Sequence, residues 1–124
     1  MYSVSVRDSV MIAHSLKDEF FGPAQSLHGA TYVVDVEFQA ETLDEHNVVI
    51  DIGKARELLR ETLKPLAYRN LDEVEEFAGK LTTAEFVARY IHDTASRAAA
   101  DLFRGRLHVR VRESHDAWVG YQAG

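Results

Sequence analysis

Three polar side chains fall in the apolar phase of alternating segments, and their types suit proton transfer, metal binding or ligand anchoring. His14 continues the even-numbered run of Val10 and Ile12, His28 that of Tyr32 and Val34, and Glu113 the odd-numbered run of Val109 and Val111. Successive side chains of an extended chain point to opposite faces, so all three are expected on the inward side, each near a strand end where a pocket rim can form. A polar group buried without a partner costs about 2 kcal/mol or more. Three such positions together point to a shared pocket more than to three strand ends turned to water. Two imidazoles and a carboxylate can bind a metal, move protons near neutral pH or hold a ligand.

A catalytic zinc site needs three protein ligands and one open position. Only His14 and His28 are in register as histidine ligands. The next inward position after His28 is Ala30. Glu113 can complete a two-histidine, one-carboxylate set, and His46 and His115 can join only if their loops fold inward. No bound metal is expected.

The elements that must position these residues are legible in the periodicity. Residues 2–14 read as a strand, with Asp8 interrupting the valines where a turn or bulge can sit, and residues 28–39 alternate Tyr32, Val34, Val36 and Phe38 against Asp35, Glu37 and Gln39. Asp51 can cap a helix carrying Ile52, Ala55, Leu58, Leu59 and Leu63 on one face, and Pro65 stops it. Thr82, Thr83, Ala84 and Glu85 form a capping-box pattern before a second helix, with Phe86, Tyr90, Ile91, Ala95, Ala98 and Leu102 as its buried stripe. Residues 106–112 and 117–122 close the chain as a hairpin. The fold class expected is α+β: a four-stranded antiparallel sheet with two helices on one face, as a single domain over residues 1–124.

Composition narrows the function classes. Fourteen Lys and Arg against twenty Asp and Glu give a net charge of -6, which repels a phosphate backbone, so no nucleic acid is expected. The cluster Arg104, Arg106, Arg110 and Arg112 reads as one solvated sheet face. No apolar run is long enough to span a membrane. With no cysteine and no basic-then-apolar leader, a cytoplasmic protein without disulfides is expected.

Six segments, SVMIAHSL, SLHGATYVVDVEF, VVIDIGKARELL, PLAYRNLDEV, TTAEFVARYI and VRVRESHDAWVGY, resemble in order the landmarks of the 6-pyruvoyl- and 6-carboxytetrahydropterin synthases and cover nearly the whole chain. The resemblance implies a T-fold, in which three subunits close a barrel, two trimers stack into a hexamer, and ligand pockets lie between subunits. It implies zinc held by three histidines; the first matches His14, and the family's HGH triplet reads His28, Gly29, Ala30. The catalytic cysteine position falls on Ala24, and the aspartate and histidine of an LDH triplet fall on Ala67 and Tyr68. The glutamate that receives the pterin's amino-pyrimidine edge matches Glu113, and Thr83 and Glu85 match residues lining the same pocket, a pair that ordinary capping explains equally well. Phe86 stands where relatives commonly have asparagine.

These departures set the functional expectation: a homo-oligomer, trimer or hexamer, that binds a pterin- or purine-like small molecule through Glu113, with no cofactor and no zinc, and without the family's synthase reaction. Two alternatives are a lyase-type enzyme with altered chemistry on a dihydroneopterin-like substrate, using His14, His28 and Tyr68, and a non-catalytic scaffold or regulatory subunit. The inward phase of Glu113 argues against the scaffold, because an unused buried carboxylate is a stability liability.

Overall fold

The computed structural model describes residues 1–124. Two long strands, β1 (Tyr2–His14) and β2 (His28–Ala40), pair antiparallel from end to end, from Tyr2 opposite Ala40 to His14 opposite His28. The ladder runs unbroken through Asp8 opposite Val34, so the bulge expected there does not form. β2 pairs in turn with β4 (Arg106–Ser114), and β4 with β5 (Ala117–Gln122). The sheet has five strands rather than four. A two-residue β3 (Arg69–Asn70) adds parallel to β1 at Ile12 and Ala13, giving the order β3-β1-β2-β4-β5. A two-residue strand carries no alternation, which is why periodicity missed it.

Two helices, α1 (Ile52–Leu63) and α2 (Ala84–Ala99), cover one face of this sheet, α1 over β1 and α2 over β4 and β5. Beneath them Val6, Val10, Ile12, Tyr32, Val34, Val36, Phe38, Leu107, Val109 and Val111 join one apolar core of 26 buried residues. Burying each of the larger of these side chains stabilises the fold by about 1.5–3 kcal/mol. Asp51 caps α1 as its position suggests, its carboxylate accepting the Lys54 N–H at 2.9 Å. Ile52, however, is 52% exposed, and Ile50 is the isoleucine that is buried.

The α2 stripe is rotated from the one read in the sequence. Ala84, Val87, Ala88, Ile91, His92, Ala95 and Ala99 are buried, whereas Phe86 and Tyr90 are only partly buried and Ala98 and Leu102 are exposed. Small alanines let the helix lie close to the sheet, and large flanking aromatics reach round its sides; a count of apolar residues favours the aromatics and misplaces the face. Gly105, at the entry to β4, is a steric requirement: a Cβ there would collide with the Gln39 carbonyl and the Phe103 ring.

Candidate functional site

His14, the last residue of β1, and His28, the first of β2, face each other across the ladder, with ring centroids 4.6 Å apart and planes at 62°. The connection between them turns back through a kinked segment, Glu19–Gln25, anchored where the Asp18 carboxylate accepts the Phe20 N–H and the Leu16 N–H reaches the Ala24 carbonyl. His14 is 3% exposed. Its Nδ1 lies 2.8 Å from the Thr82 carbonyl oxygen. A carbonyl only accepts, so Nδ1 carries the proton and Nε2 keeps its lone pair. Half-buried His28 repeats the arrangement, its Nδ1 donating to the Ser26 carbonyl at 2.8 Å. Fixing one ring nitrogen as donor to the backbone leaves the other as a base, a proton relay or a metal ligand.

Burial pushes the His14 pKa below the ordinary imidazole value, and the neighbouring His28 pushes it the same way. The Thr82 carbonyl and the charges of Asp72 and Glu113 oppose this without reversing it. His14 is therefore neutral at pH 7, a base rather than a cation. Asp72 is itself positioned: Ser15 donates to it through both its hydroxyl and its backbone N–H.

Tyr32 stands on the same face of β2 as His28, with Ala30 between them. Its ring meets that of His14 edge-on at 6.4 Å. It is 1% exposed, and its hydroxyl has no hydrogen-bond partner. Leaving such a group unpaired costs about 1–3 kcal/mol. Burial, and then the charges of Glu113 and Glu85, raise the Tyr32 pKa, so the phenol stays protonated.

Glu113 follows the last β2–β4 pair, Val33 with Arg112; one further step in the antiparallel register brings it beside Tyr32. Between β4 and β5 the register shifts from Arg112 opposite Trp118 to Ser114 opposite Ala117, leaving Glu113 as the unpaired extra residue. A bulge of this kind re-aims a side chain at a strand end. The Glu113 charge is felt at His14 and Tyr32, but the side chain is exposed, not turned inward as its phase suggests. The stability argument against an unused buried carboxylate therefore does not apply.

The start of α2 borders the cluster. Thr83, not Thr82, is the N-cap, its hydroxyl accepting the Phe86 N–H at 3.1 Å, and the expected Thr82–Glu85 capping box does not form. Thr82 is turned inward, 1% exposed, with its carbonyl and hydroxyl on His14. That frees the Glu85 carboxylate, whose charge is felt at Tyr32.

Several expected participants lie elsewhere. Tyr68 is 84% exposed, with φ at 59°, an uncommon conformation for a bulky residue. Its N–H donates to the Met11 carbonyl at 2.7 Å on the outer edge of β1, so within one chain it does not reach the histidines. His46 and His115 are exposed on their loops. Ala30 occupies the inward position after His28, and no group of three His, Cys, Asp or Glu is gathered to hold a metal ion. His14, His28 and Glu113 line none of the five main surface grooves, so one chain borders the cluster without enclosing it.

Sequence reasoning missed Tyr32, Thr82 and Asp72. Tyr32 carried a usable signal: it is an aromatic hydroxyl in the same phase as His28, but it was counted as core. Thr82 acts through its backbone carbonyl, and Asp72 lies in a short turn without periodicity, so neither carried one.

Residues 3–124 match the family model for 6-pyruvoyl tetrahydropterin synthase. A curated 6-pyruvoyl tetrahydrobiopterin synthase from Dictyostelium discoideum is 24% identical over 106 residues, 84% of this chain and 76% of that protein. The 6-pyruvoyl tetrahydropterin synthase of Caenorhabditis elegans superposes with a TM-score of 0.85 at 24% identity, over 99% of this chain and 96% of the other. A Plasmodium vivax 6-pyruvoyltetrahydropterin synthase, solved with a catalytic glutamate changed to cysteine, superposes with a TM-score of 0.80 at 17% identity, over 98% and 97%. The α+β architecture is that of these T-fold structures.

Proposed function

The chain belongs to the 6-pyruvoyl tetrahydropterin synthase family, and from that premise we propose that it is an oligomeric protein that binds a pterin- or purine-like ring through Glu113 and does not perform the family's zinc-dependent reaction. The observation that carries this reading is the set of unsatisfied groups at one end of the sheet. The register sets Glu113 next to Tyr32, whose hydroxyl has no partner, and its charge is felt at His14, one of two imidazoles with free Nε2 atoms. A carboxylate facing a planar pair of N–H donors makes a strong and directional contact. Thr83 and Glu85 are assigned to the wall of the same pocket.

The negative half of the reading rests on donor chemistry. Ala24, Ala30, Ala67 and Tyr68 occupy the positions matching a cysteine, a zinc ligand, an aspartate and a histidine. Two imidazoles hold zinc poorly, and an alanine cannot act as a general base. A cluster that one chain borders without enclosing suits a pocket completed by a neighbouring subunit in a trimer or hexamer. Any role for Tyr68 requires it to serve a neighbour's cluster rather than its own.

The test is calorimetric titration of the protein with pterin and with guanine, alongside metal analysis. We expect saturable binding by wild type, binding weakened about 100-fold in Glu113→Gln, and well under one zinc per subunit. Absence of binding to either ring removes the anchor role, and one zinc per subunit removes the metal half.

One observation favours altered catalysis as a second reading. His14 is neutral and buried beside the carboxylates Asp72 and Glu113, and the Plasmodium vivax relative uses a glutamate as a catalytic residue. Formation of a new pterin product from dihydroneopterin triphosphate, lost in His14→Gln, would select this reading over simple binding.

A further inference from the structure

Tyr32 presents a buried polar group for which its own chain offers no partner. Tyr32 lies on the core face, two same-face positions in from the histidine pair along β2. Across β1 it faces Val10, and its same-face neighbours on β2 are Ala30 and Val34. His14 meets it only edge-on, with ring centroids 6.4 Å apart. On the remaining side lies Glu113, which the register sets next to it but which makes no hydrogen bond to it. A buried hydroxyl is nearly always satisfied in a folded protein, so this one needs a partner that the chain's own side chains do not supply.

We propose that Tyr32 is a further ligand-contacting residue, whose hydroxyl donates to an acceptor atom of the bound ring beside the N–H edge that Glu113 accepts. The pair reads two features at once, an acceptor (a carbonyl oxygen or ring nitrogen) and an adjacent N–H. Rings with only one of them satisfy half the pair and bind less tightly. The protonated state suits the role, because burial and the nearby carboxylates keep the phenol from ionising. This assignment rests on the reading of Glu113 as anchor.

The test compares wild type, Tyr32→Phe and Glu113→Gln by calorimetric titration with pterin and by melting of the free protein. Tyr32→Phe keeps the ring that packs in the core and removes only the oxygen. The expected result is pterin binding weakened roughly tenfold, in the range for one lost hydrogen bond, with the free protein melting at the same temperature or higher. A hydroxyl with a purely structural role would produce the opposite pattern, a lower melting temperature with affinity unchanged, and that result overturns the inference. Unchanged affinity in Tyr32→Phe, with binding strongly weakened in Glu113→Gln, removes Tyr32 and leaves the anchor standing. No binding of pterin by wild type removes both.

Discussion

On the uncovered face of the sheet, Asp35 holds the Arg7 guanidinium at 2.6 Å and that of Arg112 at 3.1 Å, and Arg112 lies over the Trp118 ring, its Cζ 4.5 Å from the centroid. At the strand ends of the covered face, Glu113, the Tyr32 hydroxyl and the Nε2 atoms of His14 and His28 have no partner in the chain. Both groups are built from polar residues at fixed register, yet the first closes on itself and the second stays open. A ladder whose charges are mutually satisfied has little left to offer a ligand. Burial alone would raise the Asp35 pKa, but the hydrogen bonds and charges of Arg7 and Arg112 outweigh it and hold the carboxyl below its usual range. At the other end burial wins, keeping His14 neutral and Tyr32 protonated. The difference marks one cluster as fastening the sheet and the other as suited to binding.

Substitutions should separate the two regions by readout. The largest effect is expected at Glu113. Glu113→Gln should weaken pterin binding about 100-fold, as for loss of charge-assisted hydrogen bonds, with the melting temperature unmoved because the side chain is exposed. Asp35→Asn should do the reverse, lowering the melting temperature by several degrees while leaving pterin affinity unchanged. If Asp35→Asn abolishes binding, the two regions are not separable in the way described.

Acid should open them in sequence. The His14 pKa is depressed in the folded chain, so its contribution to stability is full above about pH 6.5, the ordinary histidine value, and is lost as pH falls from there. The Asp35 pKa is also depressed, so its contribution is full above about pH 3.8 and is lost only at lower pH. Thermal melts across pH should therefore show a first decline that His14→Gln flattens and a later one that Asp35→Asn flattens; a single decline insensitive to both contradicts the assignment. The smallest effect belongs to Trp118→Ala, which removes a half-exposed cation–π contact of about 0.5–1 kcal/mol and should lower the melting temperature slightly.

Much of this molecule is legible without coordinates. Alternation from Tyr32 to Phe38 identifies β2 and its buried face, Asp51 marks the start of α1, and the even phase of His14 and His28 puts both histidines inward on neighbouring strands. Glu113 was located by phase but not by exposure, because a register shift at Arg112 and Ser114 is a property of two strands together. The α2 face was misread for a related reason. Which side of a helix is buried depends on how closely the sheet approaches, and alanines mark that only once the partner is known.

What the sequence determined by itself is the inventory: strands and helices in order, two inward histidines, a carboxylate in phase with the core, and the absence of any thiol. Period and residue type are local, and local signals suffice for them. Only the tertiary structure decided which groups are satisfied. It turned the Thr82 carbonyl onto His14, left the Tyr32 hydroxyl without a partner, carried Tyr68 to the outer edge and closed the arginines around Asp35. Hydrogen bonding joins residues as far apart in the chain as His14 and Thr82, and no spacing rule reaches across such a separation.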